Sequence, residues 1–162
     1  MADEQALLAL IEAQPVAALG TLHDGAGGPE PFVSMVPVAW PAGWADAVIH
    51  VSALSPHTRD LLADPRVSLM LVAPRTAGDE PLALARLSLQ ADAEALEPGT
   101  PAHAAAEAAY RARFAGSELT FGLADFRLVR LRTRSARFVA GFGRAHALGA
   151  APWQALMAGR GD

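Results

Sequence analysis

The residues that put the most chemistry into the smallest space are His57, Thr58 and Arg59. An alternating stretch leads to them from Ala47 through Val51 and Ser52, and a turn with Ser55 and Pro56 intervenes. A strand that hands over to a helix in this way leaves the first helical N–H groups unpaired, at the positive end of the helix dipole. Hydroxyls, an imidazole and a guanidinium beside those donors make a seat for a phosphate. The same residues also read as an ordinary turn, with Ser55 or Thr58 capping the helix. The local pattern leaves both readings open.

Composition narrows the chemistry. The chain of 162 residues contains no cysteine, and all 13 of its basic residues are arginine. Disulfides, thiolate metal sites and cysteine nucleophiles are excluded, as are Schiff-base and Walker-type lysines. An anion bound here meets arginine, histidine, hydroxyl or backbone N–H. The net charge of −4 argues against a nucleic-acid partner. Its distribution is uneven. Residues 1–100 hold 13 acids and 4 arginines, whereas residues 101–162 hold 4 acids and 9 arginines. The two parts are expected to attract each other, within a subunit or between two. No apolar run reaches the ~18 residues of a membrane span. The first residues lack the basic start of a signal peptide, so a cytoplasmic protein is expected.

The elements that must position these residues follow from periodicity. Leu7, Leu8, Leu10 and Ile11 form one stripe of a helix over 3–14, which Pro15 ends. Strands are predicted over 16–22, 31–40, 47–52, 67–72 and 82–95, with a glycine-rich hairpin loop at 23–29. Phe32, Ser34, Val36, Val38 and Trp40 share one face of the second strand. Pro37 within it implies an edge, a bulge or a strand end. The strand over 67–72 reads as fully buried. In the strand over 82–95, Leu84, Arg86, Ser88 and Gln90 share a polar face, which is either solvated or the wall of a site. A short helix is predicted at 57–63 and a second from Pro101 through Tyr110 and Phe114 to Gly116, the latter capped by Thr100. Two further strands are expected at 125–133 and 137–146, the last with Gly141-Phe142-Gly143 in its middle. Crossovers long enough for a parallel sheet are missing. The expectation is one domain over 1–162, mainly β, whose antiparallel strands close into a small barrel with flanking helices.

With these elements in place, the motifs become specific. The run Ser52, Ser55, His57-Thr58-Arg59, Leu61, then Asp64-Pro65-Arg66-Val67-Ser68-Leu69, resembles the FMN-binding split barrels of the pyridoxamine 5′-phosphate oxidase type. Ala85-Arg86-Leu87-Ser88-Leu89, the segment 124–131 and Phe138 to Ala145 resemble the haem-utilisation branch of that superfamily. The resemblance implies a six-stranded antiparallel split barrel and a homodimer with FMN at the subunit interface. It implies that Ser34, Val36 and Pro37 border the flavin and ribityl chain, continued by Val51 and Ser52. Ser55, His57, Thr58 and Arg59 would hold the phosphate, Arg86 would reach the flavin, and Phe142 and Gly143 would approach from the other subunit. Departures stand beside this. Oxidases of pyridoxamine phosphate carry arginine where Ser34 stands, lysine where His57 stands, and a C-terminal Arg-Leu-His motif. None is present, so that substrate is not expected.

The resulting expectation is an FMN flavoprotein, an oxidoreductase in which FMN does the redox chemistry and the protein supplies position. The rivals are a haem-binding or haem-degrading protein of the same fold and a barrel that has lost its cofactor. The haem-ligating histidine of longer relatives lies in a C-terminal extension, and its counterpart is expected to be missing. Of the other histidines, His50 is expected to be packed or at a rim, His23 and His103 solvated, and His146 a candidate to face a bound ring. No pair has metal-site spacing, and no GxSxG elbow supports a catalytic serine.

Overall fold

The computed structural model describes residues 2–160. The first helix, α1 (Ala2–Ala13), buries Leu7, Leu10 and Ile11, as its stripe demands. Strands β1 (Val16–Gly25) and β2 (Gly28–Pro37) form a hairpin closed by Gly28 at φ 107°. Strand β3 (Ala47–Ser52) leads into α2 (Pro56–Ala63), and β4 (Arg66–Val72) follows. Then come β5 (Arg86–Ala95), α3 (Pro101–Arg113) and the short α4 (Glu118–Phe121). The chain ends with β6 (Phe126–Gly141), β7 (Arg144–Gly149) and α5 (Ala150–Ala158).

All strand pairs are antiparallel, in the order β2-β1-β4-β5-β6-β3, with β7 added to β6. Two hydrogen bonds between Ala39 and Val48, of 3.0 and 2.7 Å, tie the chain beyond β2 to β3. Six strands thus curl round until the ends of the sheet meet. This is the split barrel that alternation and the missing crossovers predict. Leu19, Leu69, Leu71, Leu87, Leu89 and Phe138 fill its interior. α3 covers the outside of β3, so residues 47–51 are buried on both faces.

Several boundaries differ from the sequence reading. β4 is not fully buried: Val67, Leu69 and Leu71 face in, while Ser68 and Met70 face out. Residues 81–83 form a single 3-10 turn, so β5 begins only at Arg86. The strand expected at 125–133 and the first part of that expected at 137–146 are one strand of 16 residues, β6, and residues 144–146 open β7. Gly141 ends it, and Phe142 with Gly143, the latter at φ 77°, makes the turn after it rather than the middle of a strand. The helix predicted to run on from Pro101 stops at Arg113, where Phe114 leaves helical geometry.

β6 serves three neighbours. Residues 129–139 pair with β5, the first part of the strand pairs with β3 and its second part with β7. At the change of partner, Asp46 fills in. Its Oδ1 accepts the backbone N–H of Thr133 at 2.9 Å, and its Oδ2 accepts Arg130 Nε at 2.7 Å and lies 2.6 Å from Nη2. Trp44 lies under the same guanidinium. A carboxylate only 7% exposed is stable here because each oxygen has a donor. Asp46→Ala leaves the Thr133 amide and a half-buried arginine unpaired. A loss of roughly 2–4 kcal/mol in urea unfolding is expected, while Asp46→Asn, which can still accept one bond, should lose less.

Candidate functional site

The handover from β3 to α2 is fixed from below. Ala53 donates its N–H to the Asp125 carbonyl at 2.7 Å, and Ser52 Oγ donates to Asp125 Oδ2 at 2.5 Å. The Ser52 hydroxyl also accepts from the Leu54 amide at 3.1 Å. Ser52, expected at the site, therefore spends its hydroxyl holding the turn. Pro56 starts α2 with a preset φ and no N–H to satisfy.

At the first turn of α2 the N–H groups of Thr58 and Arg59, expected to be unpaired, donate to the Ser55 carbonyl at 3.1 and 3.4 Å, and it is the side-chain donors that are uncommitted among the described residues. Ser55 is the N-cap residue by conformation, yet its side chain makes no capping bond. Thr58 is fully buried, and its Oγ1 has no partner among the described residues. Arg59 is exposed and in no ion pair among the described residues, which sets it apart from Arg66, Arg111 and Arg130. His57 is half-buried, and burial lowers its pKa, against a smaller opposing pull from Asp60. The capped-turn reading required Ser55 or Thr58 to close the helix with its side chain, and neither does.

Asp64-Pro65-Arg66 has a structural task. The Asp64 N–H closes α2 on the Asp60 carbonyl at 2.8 Å. Its carboxylate accepts the Arg66 amide at 3.0 Å and the Arg66 guanidinium, which together hold its pKa down at about 2. This pins the start of β4 to the end of α2.

The remaining expected residues fall in two other places. Ser34, Val36 and Pro37 lie on β2, where Val36 is buried and Pro37 ends the strand opposite Val16. Ser34 Oγ is buried without a partner. Val51 is buried in β3. Arg86, Phe142 and Gly143 meet around a cleft of about 290 Å³ beside the β6–β7 turn. Arg86 Nη1 there donates to the Leu82 and Leu84 carbonyls at 3.3 and 3.2 Å, and Phe142 is 80% exposed. Arg137 and Arg144 line the same cleft, two cations that the sequence reading did not single out. Alternation marks Arg137: it faces Ser88 across the ladder, on the polar face that carries Arg86.

That polar face is the outside of the barrel. Cross-strand register sets Met35, Ala18, Met70, Ser88 and Arg137 in one row and Val33, Gly20, Ser68, Gln90 and Ser135 in the next. Val33 and Met35 are each 67% exposed there.

Histidines divide as follows. His23 is not in a solvated turn but in β1, where its Nδ1 donates to Asp60 Oδ1 at 2.8 Å. Thr21 Oγ1 donates to the other oxygen of that buried carboxylate at 3.0 Å. Thr21 and His23 stand two apart in a strand, a spacing from which a shared face is readable. His103 faces Glu107 across one helical turn, and His146 pairs with Asp3. Among the described residues no cluster of metal-ligating side chains occurs. No helix is long and apolar enough to cross a membrane.

A fold of this kind is an antiparallel split barrel in architecture, and the family comparison agrees. Residues 3–140 match the family described as Pyridoxamine 5'-phosphate oxidase. The chain belongs to that family. Among solved structures it is similar to a heme binding protein from Mycobacterium smegmatis, at 33% identity and a TM-score of 0.81. That match covers 96% of this chain but only 60% of the Mycobacterium protein. It is also similar to HutZ, a heme storage protein from Vibrio cholerae, at 27% identity and a TM-score of 0.67, covering 79% of this chain and 87% of that one. A putative pyridoxamine 5'-phosphate oxidase from Listeria innocua, at 17% identity and a TM-score of 0.60, covers 85% of this chain and 98% of its own and shares the fold. A search of curated proteins finds no match.

His50, in β3 beside this site, gives a test in pH. Its ring stacks on Phe121 at 4.0 Å, meets Tyr110 edge-on and lies next to Phe126. Burial in this aromatic nest lowers its pKa from 6.5 to about 4. Between those values the unfolded chain holds a proton that the folded chain does not. Stability is therefore full above pH 6.5 and falls as the pH drops toward 4. By pH 5 the loss from this group is roughly 2 kcal/mol. Urea unfolding at pH 7.5 and 5 should show that slope in the wild type and a shallower one in His50→Phe.

Proposed function

We propose that this protein is an FMN-binding flavoprotein and an oxidoreductase whose substrate is a small molecule. The observation that carries the reading is the set of uncommitted donors where α2 begins. A flavin phosphate is close to a dianion at neutral pH and asks for several donors at once. The Ser55 hydroxyl and the Arg59 guanidinium, neither partnered among the described residues, and His57 supply them at the positive end of a helix, with the Thr58 hydroxyl buried and likewise unpartnered in the same turn. Asp60 in the same helix does not oppose this, because its carboxylate is turned to Thr21 and His23. FMN, when bound, supplies the hydride or electron chemistry. The chain's own residues then bind and orient. Ser34, Val36, Pro37, Val51 and Ser52 border the flavin side, and Arg86 approaches it.

The same reading includes a homodimer, with Phe142 and Gly143 reaching the partner's cofactor. Phe142 stands out from its own subunit, and the outer sheet face carries Val33 and Met35 in the open. Burying that face between two copies removes the apolar surface from water. Met35→Glu is expected to shift the protein toward monomer in light scattering. If it leaves a dimer intact, the interface lies elsewhere.

A second reading, haem binding, is favoured by the likeness to the Mycobacterium smegmatis heme binding protein. The outer face also suits it, with an apolar plate ending in Arg86, Arg137 and Arg144. The absorption spectrum of the purified protein separates the two, by flavin bands or by a Soret band on haem titration.

The phosphate assignment has a sharper test. A hydrogen bond to a charged group is worth roughly 1.5–3 kcal/mol, so Arg59→Ala should weaken FMN binding by roughly 10- to 150-fold. Riboflavin, which lacks the phosphate, should lose little. Equal weakening of both ligands would show that Arg59 does not serve the phosphate.

A further inference from the structure

A second cleft, of about 470 Å³, lies between the end of α1, the segment before β3, one side of α3 and Arg160. It is built at the end of β3 opposite to α2. Its walls are Ile11, Ala39, Ala109 and Ala112, with the ring of Trp40. The alanines are what leave the space open.

Its polar groups have one character: they are donors in excess of acceptors. Arg113 Nη2 donates to the carbonyls of Ile11, Glu12 and Gln14 at 3.3, 2.9 and 2.8 Å, closing the C-terminal end of α1. Its Nε is buried and has no partner among the described residues. Arg160 Nη2 donates to the Trp40 and Pro41 carbonyls at 2.9 and 3.0 Å, and its other nitrogens make no such bond among the described residues. Trp40 is 8% exposed, and its indole Nε1–H is buried without a partner. Buried N–H groups that find no acceptor are costly, and two of the residues that line this cleft each keep one.

Charge sets what fits. Among the described residues, two guanidiniums face one carboxylate, Glu12, which is mostly exposed and 3.9 Å from Arg113 Nη1. The excess is one positive charge. The α1 carbonyls add negative potential at this wall, because a helix C-terminus carries it. A dianion is disfavoured, and a monoanion balances the site.

We propose that this cleft is a binding site for a small organic monocarboxylate, its apolar body against the alanines and Ile11 and its carboxylate toward Arg113, Arg160 and the Trp40 indole. The site is independent of the cofactor reading, since it shares no residue with the α2 turn or the β6–β7 cleft.

The test is calorimetric titration of the full chain with sodium benzoate, its uncharged isostere benzamide, and inorganic phosphate. Benzoate should bind saturably at one site per chain, and benzamide and phosphate at least about tenfold more weakly. Arg160→Gln should weaken benzoate by about tenfold or more. Ala109→Leu fills the cleft without touching its charges and should abolish binding while thermal unfolding stays cooperative. The proposal is overturned by an absence of saturable benzoate binding. It is equally overturned by equal affinity for benzamide, or by unchanged binding in Ala109→Leu.

Discussion

The rest of the structure depends on the Asp46 carboxylate. β6 must change partners on one edge, from β3 to β7, and an edge that changes partners leaves backbone groups exposed to an apolar interior. Asp46 stands one residue before β3 and answers the Thr133 amide at that point. By accepting Arg130 as well, it locks the start of β3 to the strand it will pair with. From there the register of β3 against β6 is set residue by residue to Ser52↔Phe126. A one-residue slip would turn Val51 outward and His50 into the barrel.

The α2 turn inherits its position from that register. Ser52 ends β3 opposite Phe126, which brings Asp125 within reach of both Ser52 Oγ and the Ala53 amide. The helix then starts at a fixed point with its first turn free. Its far end is equally fixed, by Asp64 and Arg66, and its middle by Asp60 on β1. Anchoring all but the N-terminal turn leaves that turn's donors available while the scaffold stays rigid, an arrangement that serves preorganised binding.

What was legible in the sequence is what alternation and capping encode locally. The stripe of α1, the faces of β2 and β5 and the Thr100 cap are properties of neighbouring residues, and each stands as the pattern implies. The single strand β6 was not legible, because the register shift beside Gln90 and Ala91 and the change of partner belong to the sheet. Gly141-Phe142-Gly143 can sit in a strand or a turn, and only the positive φ values decide. Of the expected site residues, the α2 group stands together because it is contiguous in the chain. Arg137 and Arg144 escaped because they join Arg86 only through cross-strand pairing. Arg113, about a hundred residues from the α1 carbonyls it closes, leaves no local sign of that role.

Charge asymmetry along the chain finds its use inside the protomer. Arg130 meets Asp46, Arg132 meets Glu94, Arg134 meets Asp92, Arg113 meets Glu12 and Arg144 meets Asp3. Each of these pairs joins the basic last part to the acidic first part. Most are exposed and each contributes little to stability, while like charges in their places would repel. The opposite charges of the two parts are thus partly matched within the protomer. What the outer sheet face still offers a partner is apolar, around Val33, Met35 and Met70. Pairing of two copies across that face would rest on burial of these side chains rather than on complementary charge, and salt would weaken it little.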